Sequence, residues 1–408
     1  MRIFAIETSC DETALSFIEA HGSPETGDFS YTVLGETLLS QAALHAQYGG
    51  VFPNLAKREH AKNLTPLLIE TLTQAGSLKS KSDLDSKSDF DFETLLEREP
   101  ELLAQLRVFM PTYGKPDIDA LAVTVGPGLE PALWVGINFA KALSLAWDLP
   151  IIPVNHMEGH LLMALVQNPS ESSKPEKNIT PHSESVLPRP GLEQVFPLVA
   201  LLVSGGHTEL ILSEQFGSYK ILGETRDDAA GECFDKCARI IGLPYPGGPE
   251  ISKLAAIARS EFLEERISSL PRPMIHEKSY EFSFSGLKTA VRNAWANDTA
   301  TWESETHKQM AYALEIENAI VEVLVKKTMY AVSESGAVTL VVSGGVSANT
   351  HLKETLQQKC VETSIQLLTP TPSLATDNAR MIAITGYLHQ SETAESNSIT
   401  AQGQLRLG

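Results

Sequence analysis

The chain has 408 residues, of which 42% are hydrophobic and 20% charged, and 32 Lys and Arg against 51 Asp and Glu give a formal net charge of −19. That length predicts two lobes, and that acidity disfavours non-specific binding to nucleic acid or membrane surfaces, so an RNA substrate would need a local basic patch or helper subunits. Four cysteines without a CxxC pair, no export signal at the start and no run of about 18 apolar residues together predict a cytoplasmic protein.

Hydrophobic patterns in the first half predict alternating strands and helices. We expect strands at residues 3–8, 13–19, 31–39, 118–125 and 151–154, and helices at 41–72 with a break near 49–53, at 93–108 and at 132–147. Residues 77–117 form a polar insertion, and the repetitive Ser, Lys and Asp composition of 77–91 predicts partial disorder there.

After a polar loop at about 168–195 the same order of elements recurs. We expect strands at 197–204, 208–213, 219–223, 338–342 and 365–368, helices at 229–241, 250–264, 305–334, from about 349 and at 376–390, and a frayed polar tail at 391–408. The repetition predicts a duplicated α/β lobe with a cleft between the copies, one lobe at 1–153 and the other at 154–390.

A histidine pair follows the strand at 151–154. On a helix, His156 and His160 would lie one turn apart on the same face and could share a metal ion, although two unrelated histidines are often spaced this way. Asp377 could supply an anionic third ligand or could cap the last helix. A zinc protease needs Glu directly after the first His, but Met157 stands there and Glu158 comes next, so the sequence disfavours that class.

Four glycine turns follow strands, and their amides could approach a phosphate closely. They are Gly126-Pro127-Gly128, Gly205-Gly206, Gly247-Gly248 and Gly344-Gly345. The sequence contains neither a P-loop nor a Rossmann fingerprint. Asp11 and Glu12 also lie in a turn after a strand, where they would repel a phosphate unless a metal ion or an amine is nearby. Asp227 could be a helix cap.

Several blocks of residues resemble, in matching order, the signature blocks of the TsaD family, the tRNA N6-adenosine threonylcarbamoyltransferases that were once misnamed glycoproteases. The blocks lie at 7–13, 49–53, 58–60, 155–160, 203–208, 227–232, 235–236, 245–249, 282–289, 344–346 with Asn349, and 376–378. The resemblance covers nearly all of the chain except the two polar insertions and the tail.

The resemblance implies a duplicated actin-like and sugar-kinase-like ATPase fold with RNase H-like lobes and a central cleft. It implies transfer of a threonylcarbamoyl group from threonylcarbamoyl-adenylate to N6 of adenosine 37 in tRNAs that read codons starting with A, together with TsaB-like and TsaE-like subunits and no membrane. By the same resemblance His156, His160 and Asp377 bind one metal ion, iron or alternatively zinc. The positions that match the family's adenylate site are Leu202, Val203, Ser204, Gly205, Gly206, Asp235, Gly248 and Asn349.

For catalysis we expect Asp11 or Glu12 to take the proton of the attacking amine and His207 to help stabilise charge; the alternative is that Asp11 and Glu12 only shape the turn. Lys57, Arg58 and Lys62 form the best basic cluster for an RNA backbone, or else a solvated helix face. Two other classes stay open. A small-molecule kinase of the same superfold would give the histidine pair no role, and a non-catalytic scaffold paralogue would be expected to lack it.

Overall fold

The computed structural model describes residues 1–24, 28–80, 92–166, 194–261, 267 and 269–408. The strands are β1 (Arg2–Glu7), β2 (Glu12–His21), β3 (Ser30–Ser40), β4 (Ala120–Gly126), β5 (Ile151–Asn155), β6 (Leu198–Val203), β7 (Thr208–Gln215), β8 (Ser218–Glu224), β9 (Thr339–Ser343) and β10 (Gln366–Leu368). The helices are α1 (Ala42–Ala46), α2 (Pro53–Gln74), α3 (Phe92–Leu95), α4 (Pro100–Thr112), α5 (Glu130–Trp147), α6 (His156–Leu165), α7 (Ala230–Ile240), α8 (Gly247–Ser260), α9 (Ser285–Asn297), α10 (Glu305–Ser335), α11 (Thr350–Thr363) and α12 (Ala379–Leu388). Residues 81–91 of the polar insertion and most of the polar loop at 168–195 lie outside the described residues.

The strands form two five-stranded sheets with equivalent orders, β3-β2-β1-β4-β5 and β10-β9-β6-β7-β8. In the first sheet β1 pairs antiparallel with β2 and parallel with β4. In the second sheet β6 pairs antiparallel with β7 and parallel with β9. The interior strands β4 and β6 are buried along their whole length, which explains their continuous apolar sequences. The predicted α/β class and its duplication are confirmed.

Contacts divide the chain into two compact units. The first comprises Met1–His45, Val51–Leu192 and Asp377–Leu407, and the second comprises Ala46–Gly50, Glu193–Thr376 and Gly408. The first unit therefore contains both α6 and α12, which the sequence analysis grouped with the C-terminal lobe. None of the described helices is both long and apolar enough to cross a membrane.

The core of the first unit includes part of the polar insertion. Leu102, Leu106 and Phe109 of α4 recur at helical spacing and pack in the same cluster as Phe4 of β1 and Leu133 of α5. Because these residues are buried, the second half of the insertion is a structural component of the unit.

The segment at 391–408 does not fray, contrary to the expectation from its composition. Ile399 is buried in the core of the first unit. The backbone N–H of Gln402 donates to Val125 O at 2.8 Å, and that of Gly128 donates to Gly403 O at 3.1 Å. At Gly126 the φ angle is +156°, and a Cβ there would lie 1.9 Å from Gln402 O. The C-terminal segment therefore packs directly against this turn, and a side chain at Gly126 would clash with it.

Candidate functional site

Helix α6 places the two histidines as their spacing predicts. Asn155 is its N-cap, and its side chain accepts hydrogen bonds from the N–H groups of Met157 and Glu158 at 2.9 and 3.3 Å. The rings of His156 and His160 follow one turn apart, with centroids 4.7 Å apart at 90°. The cap thus fixes where the helix begins and which face both rings occupy.

Asp377 lies directly before α12 and completes the cluster. Its Oδ1 is 3.3 Å from Nε2 of His156 and 3.0 Å from Nε2 of His160. The capping role belongs to the next residue, because Asn378 Oδ1 accepts from Met381 N at 3.0 Å. The ligand atoms of the three side chains lie within 4.8 Å of one another, so the cluster could hold a metal ion. Two imidazoles and a carboxylate, converging and largely buried, are a typical donor set for zinc or iron.

Glu7, for which the sequence pattern predicted no role, lies at the end of β1 behind the ring of His156. Its carboxylate is fully buried, and Oε2 lies 3.1 Å from Nδ1 of His156. Burial opposes ionisation, but the charge of His156 and its hydrogen bond hold the pKa of Glu7 below its ordinary value. Burial likewise would lower the pKa of His156, yet Asp377 and Glu7 hold it well above its usual range. Two carboxylates around one ring therefore stabilise positive charge at this position, whether a proton on Nε2 or a bound metal ion carries it. In the sequence, the signal that could have indicated a role for Glu7 was its charge at the end of an otherwise apolar strand.

The turn with Asp11 and Glu12 also belongs to the first unit and is fixed by hydrogen bonds. Nε2 of His60 lies 3.0 Å from Cys10 O, and Gln41 N donates to Asp11 O at 2.9 Å. Burial lowers the pKa of His60 to about 4, so its ring is neutral. Burial, together with the charges of Asp377 and Asp11, raises the pKa of Glu12 to about 9. Burial and the neighbouring carboxylates thus favour the protonated form of Glu12, so Asp11 is the better of the two candidate bases.

In the second unit the turn after β6 is open around its glycines. A Cβ at Gly205 or Gly206 would meet no atom within 4 Å. The turn itself is closed by Ser204 N donating to His207 O at 2.9 Å and by His207 N donating to Ser204 Oγ at 3.2 Å. Leu202 and Val203 are buried in β6 directly before it. A rigid turn with open glycines suits the approach of an anionic group to the backbone.

The other residues of the predicted adenylate site already have partners within the second unit. Asp235 Oδ1 accepts from the N–H groups of Gly247 and Gly248 at 2.7 and 3.4 Å and so supports the start of α8. Asn349 Oδ1 caps α11 by accepting from Leu352 N at 2.8 Å. Its Nδ2 donates to Ser252 Oγ at 2.6 Å and to Glu317 Oε1 at 2.8 Å. These contacts establish that Asp235 and Asn349 shape the second unit.

Asp227 does not cap the helix that follows it in the sequence, because the N-cap of α7 is Ala229 and no side chain caps that helix. It supports the start of α9 instead. Its Oδ1 accepts from Phe284 N at 2.7 Å and from Ser285 N at 3.1 Å, at the start of α9. Burial would raise the pKa of Asp227, but the bonds from Ser283, Phe284 and Ser285 hold it below its ordinary value. The carboxylate therefore stabilises the beginning of a helix.

The basic cluster on α2 is partly neutralised by neighbouring carboxylates. Lys57 Nζ lies 3.2 Å from an oxygen of the buried Glu99, and Lys62 Nζ lies 3.6 Å from Glu59. Of the two pairs, that of Lys62 with Glu59 is the more exposed and contributes little to stability. Both pairs reduce the net positive charge that this face of α2 offers to RNA.

Sequence and structure comparisons relate this chain to known proteins. The family model described as "TsaD: tRNA N6-adenosine threonylcarbamoyltransferase" matches residues 32–86, 112–181 and 178–384. Relatives of that name from Staphylococcus aureus strains MSSA476 and Newman are each 38% identical over 389 residues, which cover 95% of this chain and 92% of theirs. A crystal structure of component A of (R)-2-hydroxyglutaryl-CoA dehydratase from Acidaminococcus fermentans aligns with a TM-score of 0.45 at 11% identity, covering 96% of this chain and 99% of that one. On the family match and the identity to its members, this chain belongs to the TsaD family of tRNA N6-adenosine threonylcarbamoyltransferases.

Proposed function

We propose that this protein transfers the threonylcarbamoyl group of threonylcarbamoyl-adenylate to N6 of adenosine 37 in tRNAs that read codons starting with A. The observation that carries the proposal is the convergence of His156, His160 and Asp377 in a chain of this family. We place the reaction in the cytoplasm, with TsaB-like and TsaE-like subunits as partners. Their surfaces would supply basic groups for tRNA that this chain, with a formal net charge of −19, has in short supply.

We assign one metal ion to His156, His160 and Asp377, iron first and zinc as the alternative. When bound there, it would supply Lewis-acid stabilisation of the charge that develops on the leaving phosphate or the carbonyl oxygen. The two Nε2 atoms both face Oδ1 of Asp377, which supports the assignment because three donor atoms of the kinds that bind zinc and iron converge there.

In the proposed reaction N6 of the adenosine attacks the carbamoyl carbon. The bond from that carbon to the phosphate oxygen breaks, AMP leaves, and the amine loses a proton. We assign the proton to Asp11, since burial and the neighbouring carboxylates favour the protonated form of Glu12. His207 is assigned to charge stabilisation.

For the adenylate we assign the turn of Leu202, Val203, Ser204, Gly205 and Gly206, whose open glycines leave room for a phosphate. Asp235, Gly248 and Asn349 complete that assignment. Because Asp235 and Asn349 also hold the ends of α8 and α11, their substitution should affect both binding and folding.

Family membership favours transfer over the two alternatives. A small-molecule kinase of the same superfold would leave His156 and His160 without a chemical role, and a non-catalytic scaffold would not need them to converge on Asp377.

The decisive experiment is a transfer assay with threonylcarbamoyl-adenylate, unmodified tRNA and the partner subunits, read by mass spectrometry of the tRNA nucleosides. We expect the wild-type protein to form N6-threonylcarbamoyladenosine, and the double variant His156→Ala, His160→Ala to lose about 100-fold or more in rate. His21→Ala is the matched control, because its side chain is 64% exposed and lies outside the cluster. Full activity in the double variant would refute the metal assignment, and phosphorylation of a small molecule without tRNA modification would favour the kinase.

The assignment of the base has its own test. Asp11→Ala should lower the transfer rate by about 100-fold or more while adenylate still binds. Asp117→Ala, whose side chain is 76% exposed, is the control. A wild-type transfer rate in Asp11→Ala would show that the carboxylate only shapes its turn.

A further inference from the structure

Glu7 is a buried carboxylate with three bonding partners from three parts of the first unit. Ser9 N donates to Oε1 at 2.6 Å from the turn after β1, Thr124 Oγ1 donates to Oε2 from β4, and His156 Nδ1 lies 3.1 Å from Oε2 at the start of α6. An ionised carboxylate can be buried only where donors surround it. The three contacts therefore fix both the charge and the direction of this side chain.

The chemistry of these contacts determines which nitrogen of His156 carries hydrogen. A carboxylate only accepts, so the ring nitrogen that faces Oε2 of Glu7 must be the donor. Ser9 Oγ also lies near that nitrogen, at 3.3 Å, and a hydroxyl can accept as well. With the hydrogen on Nδ1, the neutral ring presents its lone pair at Nε2. Nε2 is the atom that faces Asp377 Oδ1 at 3.3 Å.

The second histidine of the pair has no such support in the part of the chain that the structure describes. Nε2 of His160 lies 3.0 Å from Asp377 Oδ1, whereas its buried Nδ1 has no hydrogen-bond partner there. The two rings approach the same oxygen, but only His156 is oriented from behind by a carboxylate.

We propose that Glu7 is a positioning residue of the metal centre, which fixes the tautomer of His156 and increases the electron density that Nε2 offers to a cation. The inference rests on the proposed function, because it takes His156, His160 and Asp377 as the metal ligands. Carboxylates behind metal-bound histidines typically change metal affinity by about 10- to 100-fold. A role in folding alone would change stability and leave the affinity and the ligand field of a bound metal as they are.

The test is a titration of the full chain with Co²⁺, followed by its visible absorption, and a competition with a chelator for Zn²⁺. Glu7→Gln keeps the shape of the side chain and removes its charge, and we expect about tenfold weaker binding of both ions and a shifted Co²⁺ spectrum. Glu99→Gln is the matched control, since Glu99 is also a buried carboxylate of the first unit and lies against Lys57 on α2. Unchanged affinity and an unchanged spectrum in Glu7→Gln would overturn the proposal.

Nitrogen-15 NMR of the histidine rings in the wild-type protein with Zn²⁺ keeps the proposal testable if Glu7→Gln does not fold. A hydrogen on Nδ1 of His156 with the metal at Nε2 is the expected result, and the reverse assignment would overturn it. If His156, His160 and Asp377 do not form a metal centre at all, the Co²⁺ titration gives a different result from the one that overturns the role of Glu7 alone. In that case wild-type protein and His156→Ala would take up Co²⁺ equally or not at all, and both assignments would fall together.

Discussion

The candidate sites of the two units differ in which polar groups can bind a ligand: side chains in the first unit and backbone amides in the second. In the first unit, side chains converge: two ring nitrogens face one oxygen of Asp377, and a second carboxylate stands behind His156. In the second unit, Asp235 and Asn349 use their oxygens to hold helix ends, and the open positions are the glycines of a turn. The first arrangement is suited to a cation and the second to an anion approached by backbone amides. The comparison suggests that metal binding and phosphate binding can be lost separately.

The largest expected effect comes from removing the anionic ligand of the first unit. We predict that Asp377→Asn weakens metal binding by about 100-fold, because an amide neither carries charge nor competes well with water for a transition metal. AMP should bind the variant as it binds the wild type. Metal content after dialysis and calorimetry with AMP measure the two quantities, with Asp117→Asn as the exposed control.

Loss of both metal affinity and AMP affinity in Asp377→Asn would contradict the claim that the two sites bind independently. Retention of the metal by Asp377→Asn through dialysis would contradict the assignment of Asp377 as a metal ligand.

A smaller effect is expected in the second unit, where AMP binding should weaken and metal binding should stay the same. Gly205→Ala should weaken AMP binding by about tenfold, because its methyl group would occupy space at the turn that a phosphate needs. Stability should not change, since the added Cβ meets no atom within 4 Å. Gly286→Ala adds a methyl group into equally open space at the start of α9 and is the control.

Calorimetry with AMP and thermal unfolding measure both parts of that prediction. An AMP affinity equal to the wild-type value would remove this turn from the phosphate site, and a loss of metal from Gly205→Ala would contradict the separation of the two sites.

Local sequence predicted those features that depend on local spacing. His156 and His160 lie on one face because α6 is helical from its Asn155 cap onward, and alternating or continuous apolar runs placed all ten described strands. Helix α9 was missed, although Leu287, Ala290, Val291, Ala294 and Trp295 recur at helical spacing and pack in or against the core of the second unit.

Features that depend on distant partners could not be predicted in this way. Glu7 and His156 are 149 residues apart, and nothing in either neighbourhood indicates that they meet. The segment at 391–408 looks polar, yet Ile399 and the backbone bond from Gln402 to Val125 hold it in place. In both cases contacts between residues far apart in the sequence decide the structural role.

The smallest expected effect concerns a contact between α6, which carries His156 and His160, and the end of α12, which follows Asp377. His389, at the end of α12, places Nε2 at 2.9 Å from Oε1 of Glu158 on α6, and its Nδ1 at 2.9 Å from Glu392. The hydrogen bond with Glu158, opposed by burial, raises the pKa of His389 to about 9. A raised pKa in the folded state means that this stabilisation is complete below the unfolded value of about 6.5 and is lost as the pH rises through about 9.

We therefore predict that His389→Gln lowers the free energy of unfolding by about 1–2 kcal/mol at pH 6, and that the variant and the wild type become equally stable above pH 9. Urea unfolding across that range measures it, with the exposed His21→Gln as the control. A difference that stayed constant or grew with pH would show that His389 contributes packing and no charge.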